Sequence, residues 1–148
     1  MATRGLGTVI LADSNILIDI FDDDAQWAEW SFRQIDKYRG VDDIVINQIV
    51  VAEVAPRFAS VASFLADIAS TGIGYIDFGA DAAFASGRAY IPYRRNRGKG
   101  APTNPLPDFL IGGHAQTLGA TILTRDDRFY RTYFPLVPLI TPDKAEYD

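Results

Sequence analysis

The chain contains no cysteine, which excludes disulfides and thiolate metal sites. It has a single histidine, His114, too few for a zinc site built from the usual nitrogen and sulfur ligands. Any metal must therefore rest on oxygen donors. Long apolar runs are also missing: Val9-Ile10-Leu11-Ala12 passes straight into Asp13, and nothing approaches the ~18 unbroken apolar residues of a membrane span. Residues 1–7 carry one arginine with no apolar stretch of signal-peptide length behind it. The expectation is a soluble, cytoplasmic protein with no membrane partner. Basic charge is in short supply, with 14 Lys and Arg against 19 Asp and Glu and a net charge of −5. That balance argues against a protein that coats nucleic acid with a uniformly basic surface.

What is present suffices for a core: 148 residues, 48% of them hydrophobic, fit a single domain spanning 1–148. The charge is unevenly placed. Residues 88–107 hold no acid, while Arg88, Arg94, Arg95, Arg97 and Lys99 fall within twelve positions. Acids gather instead at residues 22–24, 42–43 and 126–127.

Apolar periodicity alternates strand and helix. Val9–Ala12 reads as a buried parallel strand that hands over to a loop at Asp13-Ser14-Asn15. Trp27, Trp30, Ile35 and Tyr38 recur at helical spacing up to Gly40, and the two tryptophans are expected in the core. Residues 44–46 read as a second strand, Asn47 as a helix cap, and 48–55 as a short helix stopped by Pro56. A helix over 60–70 is expected to turn Val61, Phe64, Leu65 and Ile68 inward, before a third strand over 74–78. The alanine-rich helix from residue 80 should kink or end at Pro92, leaving 96–106 as a basic loop. Pro107 suits the entry of a helix that carries Asp108 in its first turn and ends at Gly119. Residues 121–124 make a fourth strand, 126–130 a helical turn, and 136–140 a last strand kept to an edge by Pro138. The fold class is α/β, a three-layer sandwich about a mostly parallel sheet.

Ligands of such sheets bind beyond the carboxyl ends of the strands. Asp13 follows the first strand and Asp126 the fourth, so two acids far apart in sequence are expected at one end of the sheet. Glu53 and Asp108 lie among apolar neighbours, Val50, Val51 and Val54 around one and Phe109, Leu110 and Ile111 around the other. Each acid alone is accounted for as a cap or a salt-bridge partner. Together, three or four carboxylates round one crevice repel one another unless a cation lies between them. Hard oxygen donors favour magnesium or manganese, whose bound water and positive charge suit phosphodiester hydrolysis.

Four passages carry a family resemblance: Val9-Ile10-Leu11-Ala12-Asp13-Ser14-Asn15, Val50-Val51-Ala52-Glu53-Val54, residues 107–115 (PDFLIGGHA), and Thr121-Ile122-Leu123-Thr124-Arg125-Asp126 followed by Phe129-Tyr130. Together they resemble the PIN domain, in particular the VapC-like toxins of type II toxin-antitoxin systems. The resemblance implies a magnesium- or manganese-dependent endoribonuclease with Asp13, Glu53, Asp108 and Asp126 as catalytic, metal-holding acids. It gives Ser14, Asn15 and Thr124 supporting roles. It also implies an RNA substrate, a cognate antitoxin protein and a homodimer. Asp127 is the alternative to Asp126 for the fourth ligand.

Arg94, Arg95, Arg97 and Lys99 are candidate phosphate contacts, and Tyr90 and Tyr93 candidate platforms for unpaired bases. His114 lies about 120° round the helix from Asp108 at roughly 100° per residue, and is read as a structural histidine. Two other readings compete. An aspartate-based phosphohydrolase or a receiver domain also places an acid after the first strand, but Asn15 stands where the former wants a second aspartate. Only Lys144 remains late in the chain for the latter. A catalytically silent PIN-fold binding module is the non-enzymatic alternative.

Overall fold

The structure, a computed structural model, describes residues 8–96 and 105–142. Its elements run β1 (Val9–Ala12), α1 (Ser14–Phe21), α2 (Ala28–Tyr38), β2 (Asp43–Ile46), α3 (Gln48–Val54), a 3-10 turn (Ala55–Arg57), α4 (Val61–Thr71), β3 (Gly74–Tyr75), α5 (Ala80–Asn96), α6 (Leu106–Leu118), β4 (Thr121–Leu123), α7 (Asp127–Tyr133) and β5 (Leu139–Ile140). The five strands form one sheet in the order β3-β2-β1-β4-β5, parallel at every pairing. Helices cover both faces, giving the three-layer α/β sandwich expected from the alternating pattern.

The chain builds outward from β1 to β2 and β3, then returns to place β4 on the other side of β1. The β1/β4 boundary is therefore the point where the winding reverses, and crevices at the carboxyl ends of strands open at such points. Register puts Ala12 beside Leu123, so the residues that follow, Asp13 and Thr124, emerge side by side. The Asp13 amide donates to the Leu123 carbonyl at 2.9 Å, carrying the pairing one residue past the strand.

β1 is sandwiched between helical layers, which is why its run is continuously apolar. Ile10, Leu11 and Ala12 are fully buried together with Ile44, Ile46, Ile122 and Leu123 from neighbouring strands. A second part of the core is aromatic: Phe109 of α6 meets Tyr90, Phe129 and Tyr133 at ring separations of 5.0, 4.8 and 5.0 Å. The first two pairs are edge-to-face and the third tilted, and edge-to-face rings add stabilisation beyond their buried area.

Several expectations need correction. Residues 14–21 form a helix, not a loop, and Asp13 caps it by accepting from the Ser14 amide. Pro92 lies inside α5, which continues to Asn96. Pro92 and Arg88, whose carbonyl the proline leaves without an amide donor, are both exposed, so water can satisfy that carbonyl. Val61 and Leu65 face solvent, and only Phe64 and Ile68 of α4 are buried. Trp30 is in the core, whereas Trp27 is only partly buried against it. β3 and β5 are two residues each, shorter than expected, with Leu136 of the expected last strand exposed. Of the expected loop over 96–106, residues 97–104 lie outside the described residues. Among the described residues no single helix is long and apolar enough to cross a membrane.

Candidate active site

Asp13 is the centre of a hydrogen-bonded cluster at the β1/β4 boundary and is 3% exposed. Its Oδ1 accepts from the Ser14 amide at 2.7 Å, with the Ser14 hydroxyl at 3.4 Å. Its Oδ2 accepts from the Thr124 hydroxyl at 2.9 Å and the Tyr130 hydroxyl at 2.9 Å, with Asn15 Nδ2 at 3.4 Å. Asn15 Nδ2 also donates to Thr124 Oγ1 at 3.1 Å, and that oxygen in turn accepts from the Asp126 amide at 3.0 Å. The expected supports Ser14, Asn15 and Thr124 thus all reach Asp13. Tyr130 is a further contact whose hydroxyl was not foreseen.

Glu53 stands on α3, anchored by Asn47, whose Oδ1 accepts from the Val50 amide at 3.1 Å. Its Oε1 is a buried oxygen with no hydrogen-bond partner. Burial pushes the Glu53 carboxyl up, a hydrogen bond from the Ser14 side chain opposes that, and the Asp13 charge adds to the rise. Asp13 is likewise pushed up by burial, against the pull of Thr124, Tyr130 and the Ser14 amide. Asp108, in the first turn of α6, is raised to about 7 by burial and by the charges of Asp13, Glu53 and Asp126. Acids after β1, on α3, on α6 and in the β4–α7 turn are therefore close enough for their charges to act on Asp108.

Asp126 is exposed, and its charge acts on both Asp13 and Asp108. Asp127 instead accepts from Arg131 Nε at 2.8 Å, an i,i+4 pair within α7. This geometry favours Asp126 as the fourth member of the cluster.

Among the described residues no group of three or more His, Asp or Glu side chains is already arranged to hold a metal ion. The donor set nevertheless fits one chemically. It is made wholly of hard carboxylate oxygens; one of them is buried without a partner; and three of the carboxyls are pushed toward the protonated form by burial first and by neighbouring acids second. Magnesium keeps several waters, so it does not require a preassembled protein cage.

The other residues singled out by sequence divide. His114 is buried, its Nδ1 lies 2.9 Å from Asn47 Nδ2, and burial lowers its pKa, which suits a neutral structural imidazole. Arg94 and Arg95 are exposed in the last turn of α5; Arg97 and Lys99 lie outside the described residues. Tyr93 is 5% exposed and serves the core, not as a platform for bases, whereas Tyr90 packs on Tyr93 and Phe109 but is only partly buried.

The PIN domain matches residues 10–135. The chain belongs to the PIN-domain family. No curated protein sequence matches it. Among solved structures, it is similar to a chain in VapBC2 from Rickettsia felis bound to a DNA fragment from its promoter, at 21% identity and a TM-score of 0.68, covering 91% of this chain and 99% of that one. A chain of DNA-bound VapBC from Salmonella typhimurium gives 19% identity and a TM-score of 0.66 over 90% of this PIN domain and 98% of that chain. FitAcB from Neisseria gonorrhoeae gives 18% and 0.61, covering 90% and 97%. At these identities the likeness concerns the fold.

Proposed function

We propose that this PIN domain is a VapC-like toxin that hydrolyses RNA phosphodiester bonds with magnesium or manganese. PIN domains of VapC toxins are typically nucleases that use divalent ions, and the structural neighbours come from toxin-antitoxin complexes. What supports the reading is that Asp108 feels the charges of Asp13, Glu53 and Asp126, that the Asp13, Glu53 and Asp108 carboxyls are pushed up, and that one Glu53 oxygen is buried without a partner.

In this reading Asp13, Glu53, Asp108 and Asp126 hold the cation. When bound, it supplies a more acidic water and offsets charge building on a phosphoryl oxygen. Ser14, Asn15, Thr124 and Tyr130 fix the Asp13 carboxylate so that its oxygens have one orientation before substrate arrives. Arg94 and Arg95, with Arg97 and Lys99 further along, grip phosphates of the RNA strand. A cognate antitoxin and a homodimeric assembly complete the proposal, and the whole chain acts as one domain.

The test is cleavage of single-stranded RNA by the purified protein with added magnesium or with EDTA, for the wild type, Asp13→Asn and Asp108→Asn. Cleavage by the wild type with magnesium alone, reduced at least about 100-fold in either variant, is expected, since removing a group that stabilises the transition state typically costs ~10²–10³. Equal activity in all samples overturns the reading. Phosphorylation of Asp13 by a small phosphodonor would favour a phosphohydrolase or receiver instead.

A further inference from the structure

Beside the acid cluster lies a second polar network that the proposed chemistry leaves unused. Asp19 of α1 is 1% exposed, an unusual place for a carboxylate unless it is paired. Arg125 meets it with both arms of the guanidinium, Nε to Oδ2 at 2.7 Å and an Nη to Oδ1 at 3.0 Å. The Ser31 hydroxyl of α2 donates to the same Oδ2 at 3.1 Å. The guanidinium carbon also lies 5.7 Å from the Trp27 ring centroid, over its face. The Arg125 side chain is thus held by a two-pronged bond to Asp19 of α1 and by the face of Trp27, the residue that precedes α2, while Ser31 of α2 steadies Asp19.

Arg125 stands between Thr124 and Asp126 in the turn that leaves β4. Its own amide donates to Asn15 Oδ1 at 3.4 Å, and Asn15 is bonded to both Thr124 and Asp13. The Asp126 amide donates to Thr124 Oγ1. A bidentate arginine–carboxylate pair fixes orientation as well as distance. Holding Arg125 therefore holds the backbone on either side of it.

We infer that the Asp19–Arg125 pair, seated on Trp27 and Ser31, is a positioning unit that clamps the β4–α7 turn against α1 and so sets Thr124 and Asp126 over Asp13. Arg125 touches no substrate; it acts through its neighbours. The pair ties the helical layer to the site as an outer-shell support ties the ligands of a metal centre, where loss typically costs ~10- to 100-fold in metal affinity or activity. The consequence for catalysis rests on the nuclease reading, whereas the consequence for the turn does not.

The experiment compares the full chain with Arg125→Met, Arg125→Lys and the double variant Asp19→Asn/Arg125→Met, which avoids leaving a buried charge alone. Three quantities are read: amide hydrogen exchange at Arg125 and Asp126, Mn²⁺ affinity by titration calorimetry, and kcat and KM for RNA cleavage. In Arg125→Met and in the double variant, exchange at these two amides is expected to quicken while that of β1 and β4 stays as in the wild type. Mn²⁺ affinity and kcat should fall ~10- to 100-fold with KM little changed, and Arg125→Lys should recover part of the loss. Unaltered exchange at Asp126, or quickened exchange with wild-type kcat and Mn²⁺ affinity, overturns the inference. A wild type that neither binds Mn²⁺ nor cuts RNA, but whose turn loosens in Arg125→Met, defeats the nuclease reading and leaves the clamp standing.

Discussion

Asp108 shows at the level of one residue why the site is costly to fold without a counter-ion. Its carboxyl is raised from 3.8 to about 7 by burial and by three neighbouring acids. Between those two values the folded chain binds more protons than the unfolded chain, so stability falls as pH rises. The contribution is complete below about 3.8 and lost as pH passes through about 7. Asp13 and Glu53, raised by burial, act with the same sign. In metal-free protein, thermal melts at pH 5 and pH 8 should therefore show Asp108→Asn with a smaller loss of Tm between the two than the wild type, and a higher Tm at pH 8. An unchanged pH dependence would contradict the electrostatic account. Substitutions that stabilise a protein while abolishing its activity are a recurrent sign of a strained functional site. The individual acids were legible in the sequence because carboxylates among valines and phenylalanines need a reason. Tyr130, Asp19 and Arg125 were not, because each earns its role only from a partner more than a hundred residues away. The Arg125 in Thr124-Arg125-Asp126 carries one hint, a cation directly beside the Asp126-Asp127 pair.

At the scale of elements, the packing of α5 on α6 holds Asp108 in place and depends on the absence of side chains. A Cβ at Gly113 would lie 2.6 Å from the backbone nitrogen of Ser86, and backbone cannot yield as a side chain can. At Gly112 a Cβ would collide with the Phe134 ring. Gly113→Ala should therefore push the helices apart and destabilise the fold by ~1–3 kcal/mol in urea denaturation, the usual cost of overpacking. A change under about 0.5 kcal/mol would show that the two helices approach less closely than described. The Gly112-Gly113 pair in mid-helix was readable as a passage of the family resemblance, but not as a helix crossing, since the partner Ser86 is distant in sequence. Strands β1, β2 and β4 were legible because their apolar runs are bounded by polar residues. Helix α1 was missed because Asp13-Ser14-Asn15 looks like a loop, when it is a cap and a first turn. The passage of α5 through Pro92 shows tertiary context overriding a local breaker on an exposed face.

At the scale of the whole molecule, the order β3-β2-β1-β4-β5 explains how a chain of net charge −5 brings acids from four separate segments within reach of one another's charge. Alternating strands and helices made a parallel sheet legible, and two acids after two strands pointed to one end of it. Strand order itself has no local signal. The surplus of acid partly reflects these four acids, and the stretch from Arg88 to Lys99 is basic with no acid to offset it. If Asp13, Glu53 and Asp108, whose carboxyls are pushed up, hold a cation, metal binding must displace protons. The most direct measurement is titration calorimetry with Mn²⁺ near pH 6.5 in two buffers of different ionisation enthalpy, on the wild type, Asp13→Asn and Glu53→Gln. The account predicts binding by the wild type with release of protons, and weaker binding with less release in each variant. Mn²⁺ binding of equal strength in all three, with no protons released, would contradict it.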